Sequence, residues 1–288
     1  MIAAGDLSSP PQGIAAPERT PPIKLAICVT FHYAEERLKY LAALSSRFGS
    51  LARAVMATIV TNTDAPEHHR RIAAVFQGDG VDFSIFTPTG LGHPYLLPWS
   101  HFVVMREHFE DDSFTHFLYL EDDLLCTQDH VNYLLEAREM LRPLGLIPGI
   151  FRVEQNPRDR EWYCTDQLQP INIGSCPRVA LAVETGLGFI SLPELYQGMY
   201  FLDRELMAEH LNGPTSSPDF GQWPIREKAA QGLTFAQIPR GFHSRVVVPY
   251  YEKEKRLAQC CLLHHLTNSY ALQPRSPNAK VRVRDIFL

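Results

Sequence analysis

Short apolar runs alternate with stretches of helical periodicity through the first half of the chain. The runs are four to eight residues long and almost wholly apolar, which predicts strands buried on both faces; they lie at 24–31, 54–61, 83–86 and 115–120. Between them apolar residues recur every three or four positions, which predicts helices at 35–51, 67–77 and 99–109. This alternation indicates an α/β fold of three layers, in which helices cover both faces of a mostly parallel central sheet (α/β/α).

The second half of the chain is less regular. A helix is predicted at 129–141, and loops rich in Pro, Gly and Asn follow between 142 and 178. Further predicted elements are a strand-like stretch at 180–190, an amphipathic helix at 200–211, a helix within 219–231 and a short strand at 235–238. Residues 1–22 are rich in Pro and Ser and are predicted to form a disordered leader, which leaves 23–288 as a single folded domain.

The amino-acid composition bears on which binding partners and which cellular compartment are expected. The formal net charge is −5 in 288 residues, so neither a nucleic-acid partner nor strong attraction to anionic membranes is expected. The six cysteines are scattered and several lie in apolar runs, which is typical of reduced thiols in a cytoplasmic protein. No transmembrane segment of about 20 apolar residues is predicted, and peripheral membrane contact stays open.

Three consecutive carboxylates follow the apolar run Phe117 to Leu120. Glu121, Asp122 and Asp123 are expected at the carboxyl end of a buried strand, where α/β folds place ligands. Adjacent acids repel one another, and a divalent cation such as Mg²⁺ or Mn²⁺ would neutralise them through oxygen ligands. The alternative is an acidic turn in which Asp122 or Asp123 caps the next helix.

The order of these pieces resembles the GT-A-fold glycosyltransferases that use nucleotide-sugar donors. The matching segments are residues 27–31 on the first strand, 60–62 at the end of the second, 118–123 in place of the D-x-D motif, and 197–203, which is similar to the glycine-containing acceptor strand. The resemblance implies a GT-A-like domain with a nucleotide-binding half at 23–125 and an acceptor-binding half at 126–288. It also implies transfer of a sugar from a nucleotide-sugar donor, with a UDP-sugar favoured, to a saccharide or glycoconjugate acceptor.

The resemblance further assigns the metal ligands. Asp123 would bind Mn²⁺ or Mg²⁺ directly, while Glu121 and Asp122 would hold ribose, sugar hydroxyls or metal-bound water. A histidine near the C-terminus often completes the site in this family, and we prefer His264 over His265. Two alternatives stay open for this segment: a zinc site that pairs the histidines with Cys260 and Cys261 on a helix face, or plain structural histidines.

Nucleotide contacts are expected at the ends of the first two strands. Thr30, His32, Arg37 and Asn62 lie in those turns, where they could read a base or ribose or offset phosphate charge. Each of them also fits a turn or capping role.

An inverting transfer needs a carboxylate that deprotonates the acceptor hydroxyl. Asp219 is the candidate, because it opens a late predicted helix where the resembled family often places its base, and Glu227 and Glu184 come next. Asp219 with Gln222 also matches a capping box, and a retaining enzyme would need no such base. Rival functions are a sugar nucleotidyltransferase, a metal-dependent phosphohydrolase and a non-catalytic nucleotide-sugar-binding protein.

Overall fold

A computed structural model describes residues 22–78, 80–182, 186–272 and 280–288. Its largest sheet carries the strand order β11-β4-β1-β2-β3, numbered along the chain, in which β1 to β4 run parallel and β11 runs antiparallel to β4. The strands are β1 (Lys24–Phe31), β2 (Ala54–Thr61), β3 (Asp82–Phe86), β4 (His116–Glu121) and β11 (Met199–Asp203). The predicted α/β class and mostly parallel sheet are therefore confirmed for this part of the chain.

Helices connect the parallel strands and cover the sheet. They are α1 (Leu38–Leu51) with a preceding 3-10 turn at Glu35–Arg37, α2 (Pro66–Val75), α3 (His101–Glu110) with a preceding 3-10 helix at Pro94–Ser100, and α4 (Gln128–Leu141). In α1 the residues at helical spacing, among them Leu41 and Phe48, are fully buried against the sheet. The four apolar residues of β4 from Phe117 to Leu120 are also buried, as expected for a strand that is covered on both faces.

Two smaller sheets are built from the second half. One has the order β13-β12-β10-β9 with β6 beside β12, from β6 (Ile147–Pro148), β9 (Arg178–Ala182), β10 (Leu187–Ile190), β12 (Val246–Tyr251) and β13 (Arg256–Leu257). The other has the order β5-β14-β7-β8, from β5 (Leu124–Leu125), β7 (Phe151–Gln155), β8 (Trp162–Cys164) and β14 (Leu262–His265). Two short helices complete the set, α5 (Arg204–Asn212) and α6 (Ile225–Lys228).

Several predictions for the second half are corrected. The predicted helix at 200–211 begins as strand β11, because residues 199–203 pair with β4 before Asp203 caps α5. The stretch at 180–190 contains parts of two antiparallel strands, β9 and β10, and residues 235–238 form turns instead of a strand. Within 219–231 only α6 is an α-helix. The leader at 1–22 falls outside the described residues except for Pro22.

The small sheet containing β5 fixes the acidic turn in space. β4 ends at Glu121 and β5 begins at Leu124, so Asp122 and Asp123 form the link between two sheets. β14 pairs antiparallel with β5, and the Leu266 amide donates to the Asp123 carbonyl at 2.8 Å. The C-terminal region is thereby joined to the end of β4.

Among the described residues, no helix combines the length and apolar character needed to cross a membrane.

A cluster of buried polar rings lies where α3 and α5 meet the sheet. His101 and His210 are fully buried, and their Nδ1 atoms hydrogen-bond to the Pro98 carbonyl at 2.5 Å and to Thr215 Oγ1 at 2.6 Å. Among the described residues, neither Nε2 atom has a hydrogen-bond partner. Burial lowers the pKa of each imidazole from 6.5 to about 3, so both are neutral in the folded protein.

Because these two histidines are buried in the neutral form, we expect the free energy of unfolding to fall in mild acid. The folded-state pKa lies below the unfolded value, so their contribution is complete above pH 6.5 and falls as pH decreases, by about 2 kcal/mol for each histidine at pH 5. Between pH 6.5 and 4.5, His101→Phe should take up about one proton fewer on unfolding than the wild type, so its free energy of unfolding should depend less steeply on pH. Urea unfolding at several pH values measures this slope. Phe102→Leu, which disturbs the same cluster without removing a titratable group, should keep the wild-type slope; an unchanged slope in His101→Phe would contradict the assignment.

Candidate functional site

A cavity of about 1150 Å³ opens at the carboxyl ends of β1 and β4. Strand order reverses between these two strands, because β2 and β3 lie on one side of β1 and β4 on the other, and such switch points are where α/β sheets bind ligands. Both halves of the chain supply its walls. The lining residues that matter below are Thr30, His32, Arg37, Glu121, Asp122, Asp123, Arg152, Asp166, Glu194, Tyr196, Trp223, Arg226, Glu227, Phe235 and His265.

Arg37 neutralises two of the three consecutive acids. It lies just before α1, and its guanidinium binds both carboxylate oxygens of Asp122, with Nε 2.7 Å from Oδ2 and Nη2 in contact with Oδ1. The same Nη2 donates to Asp123 Oδ2 at 2.9 Å. Burial raises the pKa of Asp122, and Arg37 opposes that rise. The bidentate pair makes Asp122 an anchor for Arg37, which leaves little of its carboxylate for ribose or a sugar hydroxyl.

Glu121 belongs to a second charge network, on the other side of the strand end. Arg152 from β7 donates to Glu121 Oε2 at 3.3 Å and binds both oxygens of Asp166, at 2.7 and 3.2 Å. Its guanidinium lies over the Tyr196 ring, 4.4 Å from the centroid, and the Tyr196 hydroxyl donates to Glu121 Oε1 at 2.5 Å. Arg152 is 7% exposed and Glu121 is half-buried, so this network fixes the Glu121 carboxylate in position at the cavity wall.

His265 connects Asp123 to a buried carboxylate behind it. Its Nε2 lies 3.4 Å from Asp123 Oδ2, and its Nδ1 lies 2.6 Å from Glu154 Oε1. Glu154 is fully buried and also accepts from the Thr267 hydroxyl at 3.1 Å and the Ala271 amide at 2.8 Å. Burial lowers the pKa of His265, but the hydrogen bonds with Asp123 and Glu154 outweigh it and raise the pKa to about 9. Burial also raises the pKa of Asp123, but His265 and Arg37 lower it to about 2.

The strand-end residues predicted to contact a nucleotide divide into two groups. Thr30, His32 and Arg37 line the cavity, with Thr30 Oγ1 accepting a hydrogen bond from Tyr119 at 3.1 Å. Asn62 does not line it, because its Oδ1 accepts from the Tyr33 amide at 2.7 Å and stabilises the loop after β1. Asn62 therefore has a turn role in the structure and lies apart from the residues that line the cavity.

Strand β14 places His265, and not the preferred His264, beside Asp123. Neighbouring residues of a strand point to opposite faces, and β14 directs His265 towards Asp123. His264 instead contacts Asn268 Oδ1 at 3.0 Å and packs edge-on against Trp162. The helix face that would have joined these histidines to Cys260 and Cys261 is absent, because 262–265 is a strand preceded by a short 3-10 turn.

Asp219 is also outside the cavity. It is exposed in the loop before α6, and its backbone amide approaches Ser217 Oγ at 3.3 Å. Glu227 does line the cavity, but Arg226 donates to its Oε1 from two nitrogens, at 3.1 and 2.7 Å. Glu184 falls outside the described residues. The structure thus places Asp219 apart from the residues that line the cavity, while the second choice, Glu227, lines it and is paired with an arginine.

Several residues of the site were not predicted from sequence. Arg152 and Glu154 occupy alternate positions of β7. Two charged residues spaced two apart among buried apolar ones were the signal in the sequence that both side chains point to one face of a strand. Asp166, Glu194, Tyr196 and Trp223 come from loops, where no periodicity marks them. Their approach to the acidic turn depends on tertiary packing.

The comparisons with known proteins assign no family. No protein-family model matches the chain, and no curated protein matches it in sequence. The functional argument therefore rests on the geometry of the cavity.

Glycine at position 198 is required by the close approach of β11 to Glu121. Gly198 has φ +65°, and a Cβ there would lie 2.6 Å from Glu121 Oε2 and 2.8 Å from Leu124 Cδ1. Gly198→Ala should therefore destabilise the protein by about 3 kcal/mol, since strain of the left-handed backbone adds to overpacking.

Gly145 provides the matched control. Its φ is +67° and a Cβ there would have no atom within 4 Å, so Gly145→Ala carries the backbone strain alone, about 1 kcal/mol. Urea unfolding of the two variants isolates the contact with Glu121. Equal losses of stability would contradict a tight fit between β11 and the acidic turn.

Proposed function

We propose that this protein is a metal-dependent glycosyltransferase of the GT-A type, which moves a sugar from a nucleoside-diphosphate donor to a saccharide or glycoconjugate acceptor. The observation that carries the proposal is the position of Asp123. It lies two residues after the end of strand β4, at the switch point of the sheet, lines a cavity large enough for a nucleotide sugar, and is backed by His265 and Glu154. The parallel strands with an antiparallel β11 beside β4 support the GT-A assignment.

The residues at Asp123 fit a divalent cation held by few protein ligands. Among the described residues, no group of three or more His, Cys, Asp or Glu side chains is arranged to hold a metal. Asp123 Oδ2 and His265 Nε2 lie 3.4 Å apart, so a cation bound between them would displace the proton that His265 holds on Nε2, while Glu154 accepts at the other imidazole nitrogen, as carboxylates do behind metal-binding histidines. When bound there, Mn²⁺ or Mg²⁺ would supply positive charge to the departing diphosphate.

The chain's own cations complete the donor end of the cavity. Arg37 is held against the acidic turn by Asp122, and Arg226 faces it from α6. Two nitrogens of Arg226 donate to Glu227, and both residues line the cavity. Thr30 and His32, at the end of β1, would bind the nucleoside, while Arg226 would orient the diphosphate oxygens.

Three aromatic residues of the cavity wall suit a sugar acceptor. Tyr196, Trp223 and Phe235 form a continuous aromatic patch, with ring centroids 4.9 Å apart for the first pair and 4.8 Å for the second. All three line the cavity. Aromatic rings bind the apolar faces of sugars while neighbouring polar groups bind hydroxyls. Because Tyr196 also contacts Glu121, the aromatic patch adjoins the acidic turn.

Nucleotide binding that depends on a divalent cation tests this function. UDP, GDP, UDP-glucose, UDP-N-acetylglucosamine and GDP-mannose are each added to the full chain with and without Mn²⁺, and thermal unfolding is followed. At about 100 times the dissociation constant, the matching nucleotide should raise Tm by about 5 °C with Mn²⁺ and by much less without it. No Mn²⁺-dependent rise with any of these nucleotides would contradict the proposal.

The two neighbouring histidines give a matched pair of variants. His265→Gln should abolish the Mn²⁺-dependent part of the shift, as should Asp123→Asn, because both remove groups that face the cavity at the acidic turn. His264→Gln changes the same residue type one position away, on the other face of β14, and should keep the shift. Loss of the shift in His264→Gln with retention in His265→Gln would contradict the assignment.

A further inference from the structure

Six carboxylates line the cavity, and all but one of them contact arginine. Arg37 binds Asp122 and Asp123, Arg152 binds Glu121 and Asp166, and Arg226 binds Glu227. Such contacts occupy the lone pairs of a carboxylate, which leaves less of it free to accept a proton from a substrate. Glu194 is the exception: among the described residues, no cationic side chain pairs with it.

The backbone at Glu194 is held in an unfavourable conformation. Glu194 has φ +54°, in the left-handed region that L residues other than Asn and Asp seldom adopt. It follows Pro193 in a turn, the position at which a type II turn takes glycine or asparagine. A glutamate at such a position costs stability, and residues of this kind concentrate at functional sites. The exposed side chain belongs to the cavity wall.

The two residues after Glu194 anchor its turn to the protein core and to the acidic turn. Leu195 is 4% exposed and anchors the turn in the core. Tyr196 contacts Glu121 through its hydroxyl at 2.5 Å and Trp223 through its ring, with centroids 4.9 Å apart. Glu194 lines the same cavity as the acidic turn and the aromatic patch, two residues before the tyrosine that contacts both.

We propose that Glu194 is the general base of an inverting transfer; this inference rests on the function proposed above. The Glu194 carboxylate takes the proton from an acceptor hydroxyl as that oxygen forms a bond to the anomeric carbon of the donor sugar. The bond from the anomeric carbon to the diphosphate oxygen breaks, and its electron pair leaves with the nucleoside diphosphate. The product glycoside has the anomeric configuration opposite to that of the donor.

Substitution by glycine separates catalysis from folding at this position. Glu194→Gly removes the carboxylate and relieves the left-handed strain, so activity and stability should move in different directions. The protein is incubated with Mn²⁺, UDP-glucose, UDP-galactose or UDP-N-acetylglucosamine, and a panel of methyl glycosides, and UDP release is measured. Glu194→Gly should release UDP at least about 100-fold more slowly than wild type, with a Tm that does not fall and an unchanged Mn²⁺-dependent shift with UDP.

Three further variants exclude a general effect of the backbone. Glu194→Gln keeps the shape of the side chain and should be as slow as Glu194→Gly, whereas Glu194→Asp keeps a carboxylate and should recover part of the rate. Lys255→Gly is the matched control, because Lys255 has φ +47° and is exposed outside the cavity lining; it should keep the wild-type rate. Proton NMR of the glycoside product should show an inverted anomeric centre.

The outcomes distinguish the two proposals. Mn²⁺-dependent UDP binding by wild type with equal UDP release by wild type and Glu194→Gly, including no release by either, would overturn Glu194 as the base and leave the binding function standing. A product with retained configuration would overturn it as well. Absence of Mn²⁺-dependent nucleotide binding in wild type would instead overturn the proposed function on which it rests.

Discussion

Compensation of buried charge at the end of β4 is the constraint on which the rest of the structure depends. Asp122 and Asp123 are 5% and 7% exposed, and an uncompensated carboxylate at such a depth would cost several kcal/mol. The compensating groups come from three separate parts of the chain: Arg37 before α1, Arg152 in β7 and His265 in β14. The acidic turn thus forces the small sheet β5-β14-β7-β8 to lie against the carboxyl edge of the large one.

The same network gives the cavity a net negative charge, which favours a cationic ligand. Five carboxylates take part, Glu121, Asp122, Asp123, Glu154 and Asp166, against three cationic side chains even when His265 is protonated. An excess of negative charge that faces a cavity favours a divalent cation, and in our proposal that cation brings the diphosphate of the donor with it. Arg226 and Glu194 lie outside this network, which is why we give them roles towards the diphosphate and the acceptor.

Sequence patterns predicted the large sheet well and the site only in part. Lys24–Phe31 and Ala54–Thr61 matched the observed strands because a parallel strand buried on both faces needs a continuous apolar run. The strands Val246–Tyr251 and Leu262–His265 were not predicted, because Pro249 interrupts the pattern of the first and the second is only four residues long. The position of Asp123 at a strand end followed from local pattern. The choice between His264 and His265 could not be made from local pattern, because the pairing of β14 with β5 and β7 determines which of its two faces points to Asp123.

A crystal structure of the full chain with Mn²⁺ and UDP, recorded at the manganese absorption edge, tests the central claim most directly. Our account predicts one strong anomalous peak in the cavity, within coordinating distance of the Asp123 carboxylate and the His265 imidazole, with the diphosphate beside it and Glu154 still bound to the other nitrogen of His265. A peak away from Asp123, or UDP bound outside the cavity at the ends of β1 and β4, would contradict it.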